Sequence, residues 1–225
     1  MTKYFASDLS WSVEDYLKVI YHLTESAESA STTAIAVELA VAAPSVSGMI
    51  KRLAEAGLLE HQPYRGVSLT GDGRRAALRM LRRHRVIETY LVSHLGYTWD
   101  NVHDEAETLE HAVSEDLIER LSRALGDPHF DPHGDPIPAA DGHIVDVTTA
   151  PLPDILVGET VTIARVDTSS PERLRWLADA GLVPGVGITV LDHQPFNGPV
   201  TVLLDGVRRV VGRDLALQLL CARSD

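Results

Sequence analysis

Residues 32–70 constrain the fold more than any other part of this chain, because they combine two short helical patterns, a tight turn and an alternating hairpin pattern. The first helical pattern runs from Thr33 to Leu39, and the second opens with Pro44 at its first position and ends before Gly57. The stretch LLEHQPYRGVSLT then alternates apolar and polar residues around its Tyr-Arg-Gly turn. This order predicts a winged helix-turn-helix.

The second of these helices is the predicted DNA-reading element. Its first turns carry small or hydroxyl-bearing residues, which would let the helix end enter a major groove about 12 Å wide. Basic residues follow on the helix and in the hairpin turn, within reach of phosphates. The residues expected to contact DNA are Pro44, Ser45, Ser47, Gly48, Lys51, Arg52 and Arg65. Small Ala-rich helical hairpins also occur in folds that bind no DNA, so the pattern alone leaves both interpretations open.

Charge is distributed unevenly along the 225 residues, whose formal net charge is −12. Residues 1–85 hold 11 Lys and Arg against nine Asp and Glu, whereas residues 86–225 hold nine against 23. The acidic overall balance therefore does not exclude nucleic acid as a partner. The distribution indicates polyanion contact by the first part and cation binding by the second.

The stretch HDEAETLEH carries the most specific chemical pattern of the chain. On a helix of about 3.6 residues per turn, His103, Glu107, Glu110 and His111 share one face, and apolar residues occupy the other. Two imidazoles and two carboxylates on one face are typical of a metal site. A solvated acidic helix face is the alternative that the pattern also allows.

Further possible ligands lie on two other predicted helices. His84 and Glu88 are four residues apart in a long helix expected from Gly71 to Leu95. Asp15 lies near the start of the first helix, expected over residues 11–25. Spacing alone does not show that these side chains converge with those of HDEAETLEH.

One continuous helix is expected from Asp104 to Leu125, with Gly126 as its stop. Its excess of apolar residues fits either a dimer seam or packing within one chain. Residues 126–142 are rich in Pro, Gly and Asp and are expected to be a linker. Because proline-broken loops rarely hold a preorganised site, no metal binding is expected of His129, His133 and His143.

After Pro151 the sequence changes to short strand patterns with one helix among them, which predict a small SH3-like barrel. We therefore expect a mainly α fold with a C-terminal β domain. Its parts would be a winged helix-turn-helix over 1–72, a helical metal-binding and dimerisation domain over 73–142, and an SH3-like domain over 150–225.

The single cysteine, Cys221, excludes an intramolecular disulfide and a CxxC zinc site, and is expected to be a small buried residue. No apolar run approaches the roughly 20 residues of a membrane-spanning helix. The N-terminal sequence lacks the charged and apolar regions of a secretion signal. A cytoplasmic protein with no membrane partner is expected.

Essentially the whole chain resembles the diphtheria toxin repressor (DtxR) family of metal-dependent transcriptional regulators, in its three-domain form with a FeoA-like (SH3-like) C-terminal domain. HDEAETLEH is similar to the family's HDEA…EH signature, and RRHRVIETYL, PSVSGMIKRLAEAGL and DPHGDPIP also match the family pattern. The resemblance implies a homodimer that binds palindromic double-stranded operator DNA, and it implies no enzymatic activity.

The resemblance also implies a primary metal site. Iron-responsive members place a Met and a Cys where this chain has Asp15 and Glu107, so the implied ligands are Asp15, Glu107, Glu110 and His111. Carboxylates in place of soft sulfur favour Mn²⁺, a hard ion, and make the chain similar to the manganese-responsive MntR-like branch. Fe²⁺ remains the alternative, and other divalent transition metals can substitute in vitro.

An ancillary metal site is implied as well, with His84, Glu88 and His103 at the matching positions. Three-domain members add two ligands from the SH3-like domain, but ARVDTSSPERLRWL offers only Asp167 and Glu172 near the expected places. Short manganese regulators carry a Glu one turn after the first-helix Asp. This chain has Lys18 there, which argues against their binuclear arrangement.

The expected function is a manganese-dependent transcriptional repressor of manganese-uptake genes. An iron-dependent repressor of the same family is the nearest alternative. A metallohydrolase is the remote one, because helix-borne His and Glu can hold zinc and activate water. The chain contains neither HExxH nor HxxEH, and no separate general base stands out.

Overall fold

The computed structural model describes residues 11–25, 27–62 and 65–223. These residues divide into two compact units. One contains the described residues up to 83 together with 138–143, and the other contains residues 84–137 with 144–223. The long helix α4, Gly71–Leu95, contributes residues to both.

The N-terminal unit places a β-hairpin directly after a helix-turn-helix. Its elements are α1 Trp11–Glu25, α2 Thr32–Glu38, α3 Ala43–Glu55, β1 Leu59–Gln62 and β2 Gly66–Leu69. Ser31 caps α2 by accepting a hydrogen bond from the Ala34 amide, and a proline in the first turn begins α3. The strands pair antiparallel from Leu59↔Leu69 to Gln62↔Gly66. The predicted winged arrangement is therefore present, although Tyr64 of the predicted turn lies outside the described residues.

The helical part of the second unit differs from the sequence-based prediction in one respect. The single helix expected from Asp104 to Leu125 is wrong, because the structure has α5, His103–Glu110, and α6, Glu115–Ala124. Ser114 begins α6, and its hydroxyl accepts a hydrogen bond from the Leu117 amide. A serine followed by two acidic residues is a strong helix start, and here it outweighs the continuous helical pattern.

An apolar cluster joins these helices to the end of α4. It contains Val86, Ile87, Leu91, Val102, Ala106, Ile118 and Ile137. Ile137 comes from the Pro-rich segment that follows α6, so that segment packs against the helices. The cluster fixes the faces of α4 and α5 that carry the polar side chains described below.

The C-terminal part is a six-stranded antiparallel sheet in the order β3-β8-β4-β5-β6-β7. Its elements are β3 Ala150–Pro151, β4 Thr160–Val166, α7 Pro171–Ala180, β5 Gly187–His193, β6 Val200–Leu204, β7 Val207–Val211, α8 Arg213–Ala216 and β8 Leu219–Arg223. Alternate strand residues fill its core, together with Leu174 and Leu177 of α7. Cys221 is buried in this core, as the sequence predicted, and burial raises the pKa of its thiol to about 12.

Among the described residues, no single helix is long and apolar enough to cross a membrane. The helices α2 and α3 meet the length and composition required only when they are taken together, and the chain bends by 111° between them.

Two glycines of the N-terminal unit give opposite expectations for an added methyl group. A Cβ on Gly73 would lie 2.0 Å from the Leu58 carbonyl oxygen, so Gly73→Ala should lower the free energy of unfolding by about 1–3 kcal/mol. A Cβ on Gly48 would meet nothing within 4 Å, so Gly48→Ala should raise the free energy of unfolding by about 0.5–1 kcal/mol. Chemical denaturation measures both, and equal effects of the two substitutions would contradict the close approach of α4 to Leu58.

Candidate metal centre and DNA-reading helix

Helix α3 has one buried and one open face. Its buried residues are Val46, Ile50 and Leu53, whereas the residues predicted to read DNA are all exposed. The exposed set on this helix is Pro44, Ser45, Ser47, Gly48, Lys51 and Arg52. Arg65 is exposed in the hairpin turn, where its carbonyl accepts a hydrogen bond from Ser29. This face presents small, hydroxyl-bearing and cationic groups without steric cover from the rest of the N-terminal unit.

Helix α5 ends in three potential metal ligands. Glu107, Glu110 and His111 each offer a ligand atom, and these atoms lie within 4.8 Å of one another. Glu110 is fully buried, and His111 is the residue that caps the end of the helix. Asp15 lies half-buried on α1, in the N-terminal unit. That Asp15 completes this ligand group remains a prediction from the family resemblance.

A second group forms where α4 faces α5. His84 Nε2 lies 3.0 Å from Glu88 Oε1, and His103 Nδ1 lies 3.4 Å from the same oxygen. The two imidazole nitrogens are 3.2 Å apart. His84 also contacts Glu110 through Nδ1, so both of its nitrogens face carboxylates. Two imidazole nitrogens and a carboxylate oxygen that converge on one point fit the ligand preference of a divalent transition metal.

The same carboxylate is contacted by a residue that the sequence analysis set aside. His133 Nδ1 lies 3.7 Å from Glu88 Oε2, and Glu88, Asp131 and His133 form a further group of potential ligands. All three are buried. The Pro-rich segment is therefore a folded loop and not the open linker expected from its sequence, and it places two potential ligands beside Glu88.

Hydrogen bonds within the segment explain its fixed shape. The Asp131 carboxylate accepts hydrogen bonds from the backbone amides of His133 and Asp135, at 2.8 and 2.9 Å. A β-bridge joins Phe130 to Pro136. An aspartate that binds amides two and four residues later makes a tight turn of its own, a capacity that the pattern Asp-Pro-His-Gly-Asp could have signalled.

The other histidines and acids considered from the sequence do not join these groups. His129 and His143 are exposed, and neither belongs to a potential ligand group among the described residues. Asp167 is largely exposed and lies 3.9 Å from Arg165, and Glu172 is exposed on α7. Within the described part of the chain, the FeoA-like domain thus contributes no His, Cys, Asp or Glu to either group that contains Glu88.

Electrostatics around Glu88 favour a bound cation. Burial alone would raise the pKa of Glu88, but hydrogen bonds from His103, His133 and His84 hold it well below its ordinary value. Burial raises the pKa of Asp131 to about 7, and the negative charges of Asp135 and Glu88 add to this shift. Burial would lower the pKa of His133, but Glu88 and Asp131 raise it to about 9. In the metal-free protein, a proton on His133 therefore supplies positive charge beside Glu88 and Asp131.

Replacement of the buried carboxylate should change the titration of His133. Because the pKa of His133 lies above its ordinary value of 6.5, its contribution to folding stability is complete below about pH 6.5 and is lost as the pH rises through about 9. In metal-free Glu88→Gln, we expect the pKa of His133 to fall toward or below its ordinary value, since burial remains and the charge is gone. NMR titration of the imidazole signals measures this. Glu172→Gln, which removes an exposed carboxylate, is the control, and an unchanged His133 titration in Glu88→Gln would contradict the assignment.

Comparison with known protein families matches almost the whole chain. Residues 8–67 match the N-terminal DNA binding domain of the iron dependent repressors, residues 70–139 match the metal binding and dimerisation domain of the same family, and residues 150–223 match the FeoA domain. The three matches follow the order of the observed elements. The predicted fold class is thereby confirmed.

Similar proteins include both iron- and manganese-dependent regulators. The iron-dependent repressor IdeR of Mycobacterium tuberculosis is 32% identical over 220 residues, which cover 91% of this chain and 93% of that protein. The diphtheria toxin repressor of Corynebacterium diphtheriae is 28% identical over 222 residues, covering 91% and 97%. A solved manganese-dependent transcriptional repressor in complex with manganese is 42% identical, with a TM-score of 0.88 and coverage of 94% of this chain and 100% of that one.

The matched family consists of DNA-binding transcriptional repressors and not of enzymes, and one of its domains is defined by metal binding and dimerisation. The metallohydrolase alternative is therefore wrong. The chain belongs to the iron-dependent repressor family, which includes the diphtheria toxin repressors, and it is a metal-dependent transcriptional repressor that binds operator DNA as a homodimer.

Proposed function

We propose that this protein is a cytoplasmic, manganese-responsive repressor of manganese-uptake genes that binds a palindromic operator. The observation that carries the proposal is the donor chemistry of α5, where Glu107 and Glu110 precede His111 and no sulfur ligand is present among them. Carboxylate oxygens with one imidazole suit Mn²⁺, whereas thiolate and thioether ligands favour softer ions. The similarity to a manganese-dependent repressor at 42% identity supports the same choice.

An iron-dependent repressor is the second candidate. The supporting observation is that the similar curated proteins of mycobacteria are named iron-dependent repressors and are 31–32% identical to this chain. Fe²⁺ also accepts carboxylate and imidazole ligands, so the donor set does not exclude it. The experiment below therefore compares both ions.

In this proposal, Asp15 joins Glu107, Glu110 and His111 as the primary ligand set. A second ion would be held by Glu88, either with His84 and His103 or with Asp131 and His133. The bound cation supplies the positive charge that these carboxylates need. Since Asp15 belongs to the N-terminal unit and the other three primary ligands to α5, ion binding would link the DNA-reading helices to the dimerisation helices. The gain in DNA affinity then depends on how much more tightly the ion binds the DNA-binding conformation of the repressor than its other conformation.

On the DNA side, the exposed face of α3 would lie in the major groove. Its small and hydroxyl-bearing residues Pro44, Ser45, Ser47 and Gly48 would approach base edges, while Lys51, Arg52 and Arg65 would contact phosphates. In a homodimer, two such helices would meet two half-sites about one helical turn apart. The division into domains over 1–72, 73–142 and 150–225 also remains a prediction.

The direct test is DNA binding by the full-length, metal-stripped protein. Fluorescence anisotropy with promoter fragments of the manganese- and iron-transport genes of its own organism would be measured with Mn²⁺, anaerobic Fe²⁺ and Zn²⁺. We expect Mn²⁺ to raise the affinity for manganese-uptake promoters roughly 100-fold, because allosteric coupling in such switches is typically of that order. Asp15→Ala and Glu107→Ala should abolish this gain.

The matched control is Asp104→Ala. It removes an exposed carboxylate that lies on α5, as Glu107 does, but outside the ligand group. It should respond to Mn²⁺ as the wild type does. Equal DNA affinity with and without metal would contradict the proposal. Activation by Fe²⁺ but not by Mn²⁺ would favour the second candidate.

A further inference from the structure

The FeoA-like domain contacts the loop that carries Asp131 and His133 at a point where only glycine fits. Gly134 has a φ of +85°, and a Cβ on it would lie 2.0 Å from the carbonyl oxygen of Ala164 in β4. Two residues further along β4, the Val166 amide donates a hydrogen bond of 2.9 Å to the His133 carbonyl. The backbone of His133 is thus held by the FeoA-like domain itself.

The strand is irregular at this contact. The pairing of β4 with β8 shifts register between Ile163 and Arg165, so Ala164 is the residue left out of the ladder. Such a bulge bends the strand and changes the direction of the side chains around it. Here it coincides with the Gly134 contact, and the next residue, Arg165, is the one that forms an ion pair with the same loop.

An ion-pair chain runs from this domain to the ligand group. Arg165 Nη1 lies 3.3 Å from Asp135 Oδ1, and Arg85 of α4 donates a hydrogen bond of 3.3 Å to that same oxygen. Arg85 Nε in turn lies 3.7 Å from Asp131 Oδ2. Arg85 and Asp131 are buried, so these charges are poorly screened by solvent. Arg165 therefore helps to set the position of Asp131 through Asp135 and Arg85, neither of which belongs to a potential ligand group among the described residues.

The ring of His133 is held by Trp99, which also contacts the FeoA-like domain. Its Nε2 donates a hydrogen bond of 2.7 Å to the Trp99 carbonyl, and the ring stacks on Trp99 at 5.8 Å between centroids and 16° between planes. Trp99 itself packs against the core of the FeoA-like domain. Because Nε2 carries the hydrogen of this bond, Nδ1, which faces Glu88, is the nitrogen that can bind a cation in exchange for its proton.

We propose that the FeoA-like domain positions the ligand group Glu88, Asp131 and His133 through Ala164 and Arg165, so that cation affinity there depends on residues that donate no ligand. The domain would act as part of the metal sensor by holding a loop of the helical domain in its binding shape. The inference rests on the proposed metal response, but it concerns ion binding alone and is tested without DNA.

The test is Mn²⁺ titration of the full-length, metal-stripped protein, followed by the EPR signal of free aqueous Mn²⁺. Arg165→Met removes the charge and keeps the length of the side chain, whereas Arg165→Lys keeps the charge. Gly134→Ala introduces the methyl group that collides with Ala164. Ions whose binding is lost in Glu88→Gln are assigned to the group of Glu88, Asp131 and His133. Ions whose binding is lost in Glu107→Ala are assigned to the end of α5.

We expect Arg165→Met to weaken the Glu88-dependent class by about 10- to 100-fold, the usual effect of losing a residue that orients a ligand. Arg165→Lys should recover most of this loss, and the Glu107-dependent class should stay unchanged. Gly134→Ala should lose the Glu88-dependent class. The matched control is Arg223→Met, which removes an arginine of the same domain. Its 3.2 Å ion pair is with Glu159, which precedes β4, whereas Ala164 and Arg165 lie near the end of that strand.

Two results would overturn the inference. One is an affinity of Arg165→Met within twofold of the wild type in the Glu88-dependent class, and the other is the absence of any Glu88-dependent class in the wild type. Should Gly134→Ala fail to fold, as judged by circular dichroism, Arg165→Met and Arg165→Lys decide the question. Failure of the proposed function looks different, since ions would then bind normally and the affinity for DNA would not respond to them.

Discussion

The buried carboxylate of Glu88 is the constraint on which the candidate metal centre depends. It is only 2% exposed, and its oxygens face imidazole nitrogens of His84, His103 and His133. An isolated carboxylate at such depth would cost several kcal/mol of desolvation. Positive charge at this point can come from a proton on His133 or from a bound cation. This requirement links α4, α5 and the Pro-rich loop, which are distant in sequence.

The requirement also gives the FeoA-like domain a physical role. His133 reaches Glu88 only because its loop is folded, and that loop lies between the helices and β4. The close approach of Gly134 to Ala164 and the ion pair between Arg165 and Asp135 fix the loop from outside the ligand group. In the proposed arrangement, the C-terminal domain is coupled to metal binding although, within the described residues, it contributes no His, Cys, Asp or Glu to the groups around Glu88.

Much of this arrangement was predictable from the sequence, because the relevant patterns are local. Helical spacing placed His103, Glu107, Glu110 and His111 on one face of a helix, and the ligand atoms of the last three do lie close together. The proline and glycine around α3 marked its two ends. The pairing of α4 with α5, by contrast, was available only through the family resemblance, which brought His84 and Glu88 next to His103.

Two features were not predicted from the sequence. One depends on competition between two local helix signals, and the other depends on contacts with residues distant in the chain. The break between α5 and α6 arises because Ser114 and the acids after it form a strong helix start, which the apolar periodicity obscured. The role of His133 could not be read from its own surroundings, because a loop rich in proline and glycine is typical of a linker. Its rigidity comes from the Asp131 carboxylate, from Trp99 and from a strand about 30 residues later in the chain.

Anomalous diffraction at the manganese edge, from crystals of the full-length protein saturated with Mn²⁺, tests the central claim most directly. The account predicts an anomalous peak within coordination distance of a Glu88 carboxylate oxygen, together with His84 and His103 or with Asp131 and His133. It also predicts a peak at Glu107, Glu110 and His111. An ordered Glu88 with no manganese beside it at saturation would contradict the claim that its burial is compensated by a cation.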